Sequence, residues 1–216
     1  MRKAAAIIDD VYDYILGELK EGVTEKQIAA LIEEKARELG AEKMSFDTIV
    51  AFGAGGAEPH HVPTDSALGK GMFVTVDMGA VYDGQCSDFT RTAVFGMPDE
   101  EQKRIYDIVY CAQKNALAAV ADGVTCKAVD DVARNYISLR GYGAEYVHGT
   151  GHGVGSEIHE PPTLNPKSEE TLHTGEVVTV EPGIYIPGRM GVRIEDMIAV
   201  GDAAPFSRHA TELIIL

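Results

Sequence analysis

Gly71-Met72-Phe73-Val74-Thr75-Val76-Asp77-Met78-Gly79 is written a second time, with changes, as Gly175-Glu176-Val177-Val178-Thr179-Val180-Glu181-Pro182-Gly183. Each copy is a short apolar run opened by a glycine and closed by a carboxylate. Outward from these runs, two further blocks recur in the same order. Gly22-Val23-Thr24 returns as Gly123-Val124-Thr125, and Gly40-Ala41-Glu42 as Gly143-Ala144-Glu145. The offsets of 101, 103 and 104 residues drift slowly in one direction, as an internal duplication requires. A repeated supersecondary unit accounts for the repeated strand. It does not account for an acid at the end of both copies.

Around these runs the chain reads as helix, helix and strands in each half. Helices are expected over residues 2–20 and 25–39, the second with Ile28, Leu31, Ile32, Ala36 and Leu39 at helical spacing. Thr24 and Gln27 form a capping-box start, and Gly40 is a natural stop. The second half predicts helices over 99–121 and about 127–140, ending near Gly141. Strands are expected at 46–52, 72–82, 87–95, 145–150, 176–185 and 192–200. Runs of strands with two helices per half define an α+β fold, with helices on one face of a largely antiparallel sheet. The halves, about 1–98 and 99–216, should be related by a pseudo-twofold axis. No Pro/Ser/Gly-rich linker divides them, so residues 1–216 are expected to form one domain.

A chain of 216 residues can bury a large core without metal or disulfide staples. Acids outnumber bases 34 to 19, a net charge of −15. Phosphate surfaces need Lys/Arg neutralisation, so nucleic acid and anionic membrane are excluded as partners. No apolar run approaches the roughly 18–20 residues that cross a bilayer. Met1-Arg2-Lys3 is followed by only five apolar residues before Asp9-Asp10, a poor signal peptide. Cys86, Cys111 and Cys126 are odd in number and lack a CxxC spacing. They fit reduced thiols, and a cytoplasmic location is expected.

Strand alternation locates the chemistry. Phe73, Thr75 and Asp77 share one face and Val74 and Val76 the other; Val177, Thr179 and Glu181 align in the same way. Asp88 alternates with Phe89, and Arg193 and Glu195 with Val192 and Ile194. Four carboxylates, two per half, therefore sit on strands that read as buried, where like charges need a compensating cation. Three of the seven histidines fall in His148-Gly-Thr-Gly-His152-Gly-Val-Gly-Ser-Glu-Ile-His159-Glu-Pro-Pro. Four glycines at alternate positions exclude a helix interior there and let the backbone pass close to a substrate or metal. His60 and His61 follow Pro59 at the place in the first half where His159 lies in the second. HExxH, GxSxG, P-loop and Rossmann spacings are all missing.

The pattern Pro59-His60…Asp77-x-Gly79…Ser87-Asp88-Phe-Thr-Arg91-Thr…His148-Gly-Thr-Gly-His152-Gly…His159-Glu160…Glu181-Pro-Gly…Val192-Arg193-Ile-Glu195-Asp196 resembles the Xaa-Pro peptidases. These are the prolidases and aminopeptidases P, of the metallopeptidase family that includes methionine aminopeptidases and creatinases. The resemblance implies the pita-bread fold, with a curved antiparallel sheet and helices on its outer face. It implies two divalent metals held by Asp77, Asp88, His152, Glu181 and Glu195, with manganese foremost and cobalt, zinc or iron as alternatives. It also implies a peptide substrate, and a homodimer is compatible with it. Xaa-Pro peptidases usually carry a domain before the catalytic one; here Met1 stands about where the first catalytic helix would start. The chain is either a piece of a longer protein or a natural single-domain member.

The activity so implied is metal-assisted hydrolysis of N-terminal Xaa-Pro bonds, by an aminopeptidase or dipeptidase. Glu181 would receive the proton of the attacking water besides binding metal. His60 and His159 would hydrogen-bond substrate or the tetrahedral oxyanion. His148 and Arg193 would contact substrate or stand behind the ligands, with Arg193 orienting Glu195 from the same strand face. The alternatives are a methionine aminopeptidase, disfavoured by the tail Ala210-Thr211-Glu212-Leu213-Ile214, and a non-catalytic peptide-binding module on the same fold. Retention of all five ligands argues against the module.

Overall fold

A computed structural model describes residues 1–216. The first half runs α1 (Arg2–Glu18), α2 (Glu25–Glu38), β1 (Lys43–Met44), β2 (Ile49–Phe52), β3 (Met72–Met78), β4 (Ala80–Tyr82), β5 (Gln85–Cys86) and β6 (Phe89–Phe95). The second half runs α3 (Glu100–Ala119), α4 (Cys126–Ser138), β7 (Gly151–Gly153), β8 (Glu160–Leu164), β9 (Val177–Val180), β10 (Gly183–Ile186), β11 (Met190–Arg193) and β12 (Asp196–Ala199). In the first half β3 pairs antiparallel with β2 and β6, and the β4–β5 hairpin stands between β3 and β6 in sequence. In the second, β9 pairs antiparallel with β7 and β12, and the β10–β11 hairpin stands between β9 and β12. The two halves share this core topology, to which the first adds β1 beside β4 and the second adds β8 beside β7.

The repeat extends to individual hydrogen bonds. Gly22 N donates to Leu68 O at 2.8 Å, and Gly123 N to Leu172 O at 2.9 Å. Thr24 bridges Ala67 as Thr125 bridges Thr171. Both threonines cap the helix that follows, Thr24 in the expected capping box with Gln27. Alternation along the duplicated strands also holds. Val74 and Val76 pack with Ile8, Val11, Ile28 and Ile32 of α1 and α2. Val178 and Val180 pack with Ile105, Val109, Val129 and Ala133 of α3 and α4. Thr75, Asp77, Thr179 and Glu181 are left on the opposite faces.

Three expected strands divide. The 72–82 run breaks at Gly79, where a Cβ would run into the Ser87 carbonyl oxygen. The 176–185 run breaks at Glu181-Pro182, since proline has no N–H for the ladder. The 192–200 run breaks at Ile194-Glu195, where the chain leaves β10 as its partner and takes β9. The expected strand at 145–150 does not form. Its backbone groups are taken by side chains of α4: Arg134 donates to Tyr146 O and His148 O, and Asp130 accepts from Thr150 N. β8 lies outside the expected strands, and its Pro161 and Pro162 have no N–H for a ladder. It pairs with β7 beside a register shift, where missing N–H donors are tolerated.

Candidate metal centre

The strand breaks put every predicted acid at a junction. Asp77 is the penultimate residue of β3, Asp88 immediately precedes β6, Glu181 immediately follows β9, and Glu195 lies between β11 and β12. All four open into one cavity of about 670 Å³, together with His60, His148, His152, His159 and Arg193. Every predicted site residue is thus gathered there. Asp88, His152 and Glu195 each offer a ligand atom within 4.8 Å of the other two. His152 Nε2 lies 3.5 Å from Asp88 Oδ2 and 3.4 Å from Glu181 Oε1, so one imidazole touches an acid from each half.

Hydrogen bonding sets the tautomer of that imidazole. Nδ1 lies 3.0 Å from Gly153 O and therefore carries the proton. Nε2 presents its lone pair to two carboxylates, an arrangement that repels unless a cation lies between them. The acids carry the same strain. Burial, then Asp77 and Glu181, hold the Asp88 carboxyl well above the usual range; burial, then Asp88, Glu181 and Asp77, do so for Glu195. Burial pushes Glu181 up to about 8 and His152 down to about 4. Asp77 Oδ1 is buried with no partner. A buried orphan oxygen, an undonated imidazole and four crowded acids fit divalent cations.

The single guanidinium in the cavity lies elsewhere than expected. Arg193 is turned from its same-strand neighbour Glu195 to Asp77, with Nη2 2.6 Å from Oδ2. Glu195 Oε2 instead accepts from Thr90 Oγ1 at 2.6 Å. Arg193 also donates to Tyr185 Oη at 2.9 Å. Tyr185 Oη–H donates in turn to His148 Nε2 at 2.7 Å, since His148 Nδ1 gives its proton to Gly149 O. His148 is therefore neutral, and burial takes it down to about 4. Tyr185 went unpredicted, because a tyrosine in a β hairpin reads as packing. His60 and His159 are exposed in the cavity, and His159 stands edge-on to the His152 ring, centroids 4.4 Å apart.

An imidazole and four carboxylates lining one cavity fit the chemistry of a divalent-metal site. A model of metallopeptidase family M24 matches residues 1–202, and the chain belongs to that family. An Xaa-Pro dipeptidase of Pyrococcus horikoshii is 46% identical over 200 residues, 93% of this chain and 57% of that protein. Among solved structures, an Xaa-Pro dipeptidase from Bacillus anthracis superposes with a TM-score of 0.97 at 44% identity, covering all of this chain and 61% of that one. An X-Pro aminopeptidase from Thermotoga maritima gives 0.96 at 37%, with 100% and 62% covered. The fold is their pita-bread fold. The chain spans about 57–62% of the length of these relatives. No helix is long and apolar enough to cross a membrane.

Proposed function

We propose that residues 1–216 form one catalytic domain that hydrolyses N-terminal Xaa-Pro peptide bonds with two divalent cations. The observation that carries this reading is the convergence of Asp77, Asp88, Glu181, Glu195 and the unprotonated His152 Nε2 on one cavity. These five would hold the cations, manganese foremost. Bound there, such cations supply Lewis acidity to a peptide carbonyl and lower the pKa of water to near neutrality. The relatives' name supports proline as the second residue.

The remaining work falls to side chains. Glu181, the most accessible of the four acids and steadied by Thr179 Oγ1 at 3.2 Å, would take the proton of the attacking water. His60 and His159, free of hydrogen bonds to the protein, would donate to the substrate carbonyl as charge builds on it. Tyr185 and Arg193 hold His148 and Asp77 in fixed orientation. The three free cysteines fit a cytoplasmic place of action.

The test is elemental analysis together with hydrolysis of Xaa-Pro-Xaa peptides. About two cations per chain, activity lost to a chelator and restored by Mn²⁺ are expected. No bound cation and no hydrolysis would leave a peptide-binding module instead.

A further inference from the structure

His60 has no hydrogen bond of its own and lies in a glycine-rich stretch, Phe52-Gly-Ala-Gly-Gly-Ala-Glu-Pro-His60-His61. Glycines make such a segment costly to order. Something else must hold it, and the structure places a single buried carboxylate beneath it. Glu25, the first residue of α2, is fully buried and bonds to both ends of the segment and to Thr64 just beyond it. Phe52 N donates to Oε1 at 2.8 Å; Thr64 N and Oγ1 donate to Oε2 at 2.8 and 2.6 Å; His61 Nε2 lies 2.9 Å from Oε2. Gly55 leaves just enough room: a Cβ there would stand 3.0 Å from His61 Cε1 and 3.2 Å from Glu25 Oε1.

We infer that Glu25 is a positioning residue for His60, acting through its bond to the adjacent His61. The inference rests on the proposed peptidase reading, in which His60 touches substrate. Glu25 belongs to no predicted ligand set and does not line the cavity. It is ionised in spite of its burial, because the bonds from His61, Thr64 and Phe52 outweigh desolvation. Against the same desolvation, Glu25 on Nε2 and Glu58 on Nδ1 raise the His61 imidazole above its ordinary value. A buried hydrogen-bonded pair of this kind fixes the backbone on either side of His61, and a misplacement of about 1 Å at a catalytic group costs about a hundredfold in rate. The other face of the segment is fixed from the second half: Arg193 Nη1 donates to Pro59 O at 3.3 Å.

The test is a double-mutant cycle on the Mn²⁺-loaded full chain. Glu25→Gln should lower kcat roughly tenfold to a hundredfold, with metal content unchanged. In a His60→Ala background the same change should cost less than about twofold, because the residue it positions is gone. If Glu25→Gln costs the same factor in both backgrounds, or nothing in either, the inference is overturned. Should Glu25→Gln not fold, His61→Asn, which leaves Glu25 its other three donors, serves in the same cycle. If the unaltered chain cleaves no Xaa-Pro peptide, the activity reading fails by itself. The positioning is then read from the His60 imidazole ¹³Cε1 signal, which Glu25→Gln should shift or broaden; an unmoved signal overturns the inference.

Discussion

The division of labour among the histidines follows from what each ring nitrogen faces. His152 spends its only proton on Gly153 O, and Nε2 is left facing Asp88 and Glu181. A lone pair facing two ionised carboxylates fits a cation between them. His60 and His159 are exposed and face no acid at comparable range, so either can serve a substrate. His152→Ala should therefore lose bound metal together with activity. His60→Ala and His159→Ala should keep most metal and lose about 10²–10³ in kcat, the usual cost of one donor to developing charge. Elemental analysis of matched samples decides it: equal metal loss in all three variants would remove the distinction. Arg193 does stand behind a predicted ligand, but that ligand is Asp77 and not Glu195. Strand alternation places it on the face of Glu195, but a break follows it directly, and its guanidinium reaches across the interface between the halves to Asp77.

At the scale of elements, the helices and the duplicated strands were legible because their periodicities are local. Capping at Thr24, the alternation of Val74 and Val76, and the acids at 77 and 181 each depend on a few neighbours in sequence. The breaks were not legible, because they depend on partners far away. Glu195 N donates to Thr90 O at 3.1 Å, from a strand more than a hundred residues earlier. The 145–150 segment reads as a strand until α4 is seen to take its carbonyls. Glu25 is illegible for the same reason: from sequence it is an ordinary acid in a first helical turn. Close approach of backbones, by contrast, is written in glycine. A Cβ at Gly151 would collide with Thr179 O, between β7 and β9 and next to His152. Gly151→Ala should destabilise the chain by about 1–3 kcal/mol and weaken metal retention. Gly17→Ala, in α1 with nothing within 4 Å of the new methyl, should stabilise by about 0.5–1 kcal/mol. Urea midpoints at constant m-value measure both. Two shifts of the same sign would contradict this account of the glycines.

For the whole molecule, joining two copies of one unit concentrates negative charge where they meet, and this bears on which substrates fit. A dipeptide brings its C-terminal carboxylate close to the scissile bond; a longer peptide carries it away. In residues 1–216 the only guanidinium or ammonium lining the cavity is Arg193. Its Nη2 is engaged by Asp77, its Nη1 by Tyr185 and Pro59, and its Nε by Thr90. His61 is taken by Glu25. Glu33 and Asp47 add two further acids to the wall. A substrate carboxylate held here would find no unengaged permanent cation. A buried charge clamp is worth roughly 2–5 kcal/mol, so an enzyme built around one would prefer dipeptides at least about thirtyfold. This chain should instead cleave Xaa-Pro and Xaa-Pro-Xaa with kcat/KM values within about tenfold, or 1.4 kcal/mol, and any preference should favour the tripeptide. The measurement compares both at equal concentration with added Mn²⁺, and Xaa-Ala as control. A strong dipeptide preference would point to His60 or His159 as the carboxylate's partner, and replacing each in turn would identify which. Equal cleavage of Xaa-Ala would remove proline from the assignment, while leaving the metal centre and its hydrolytic chemistry in place.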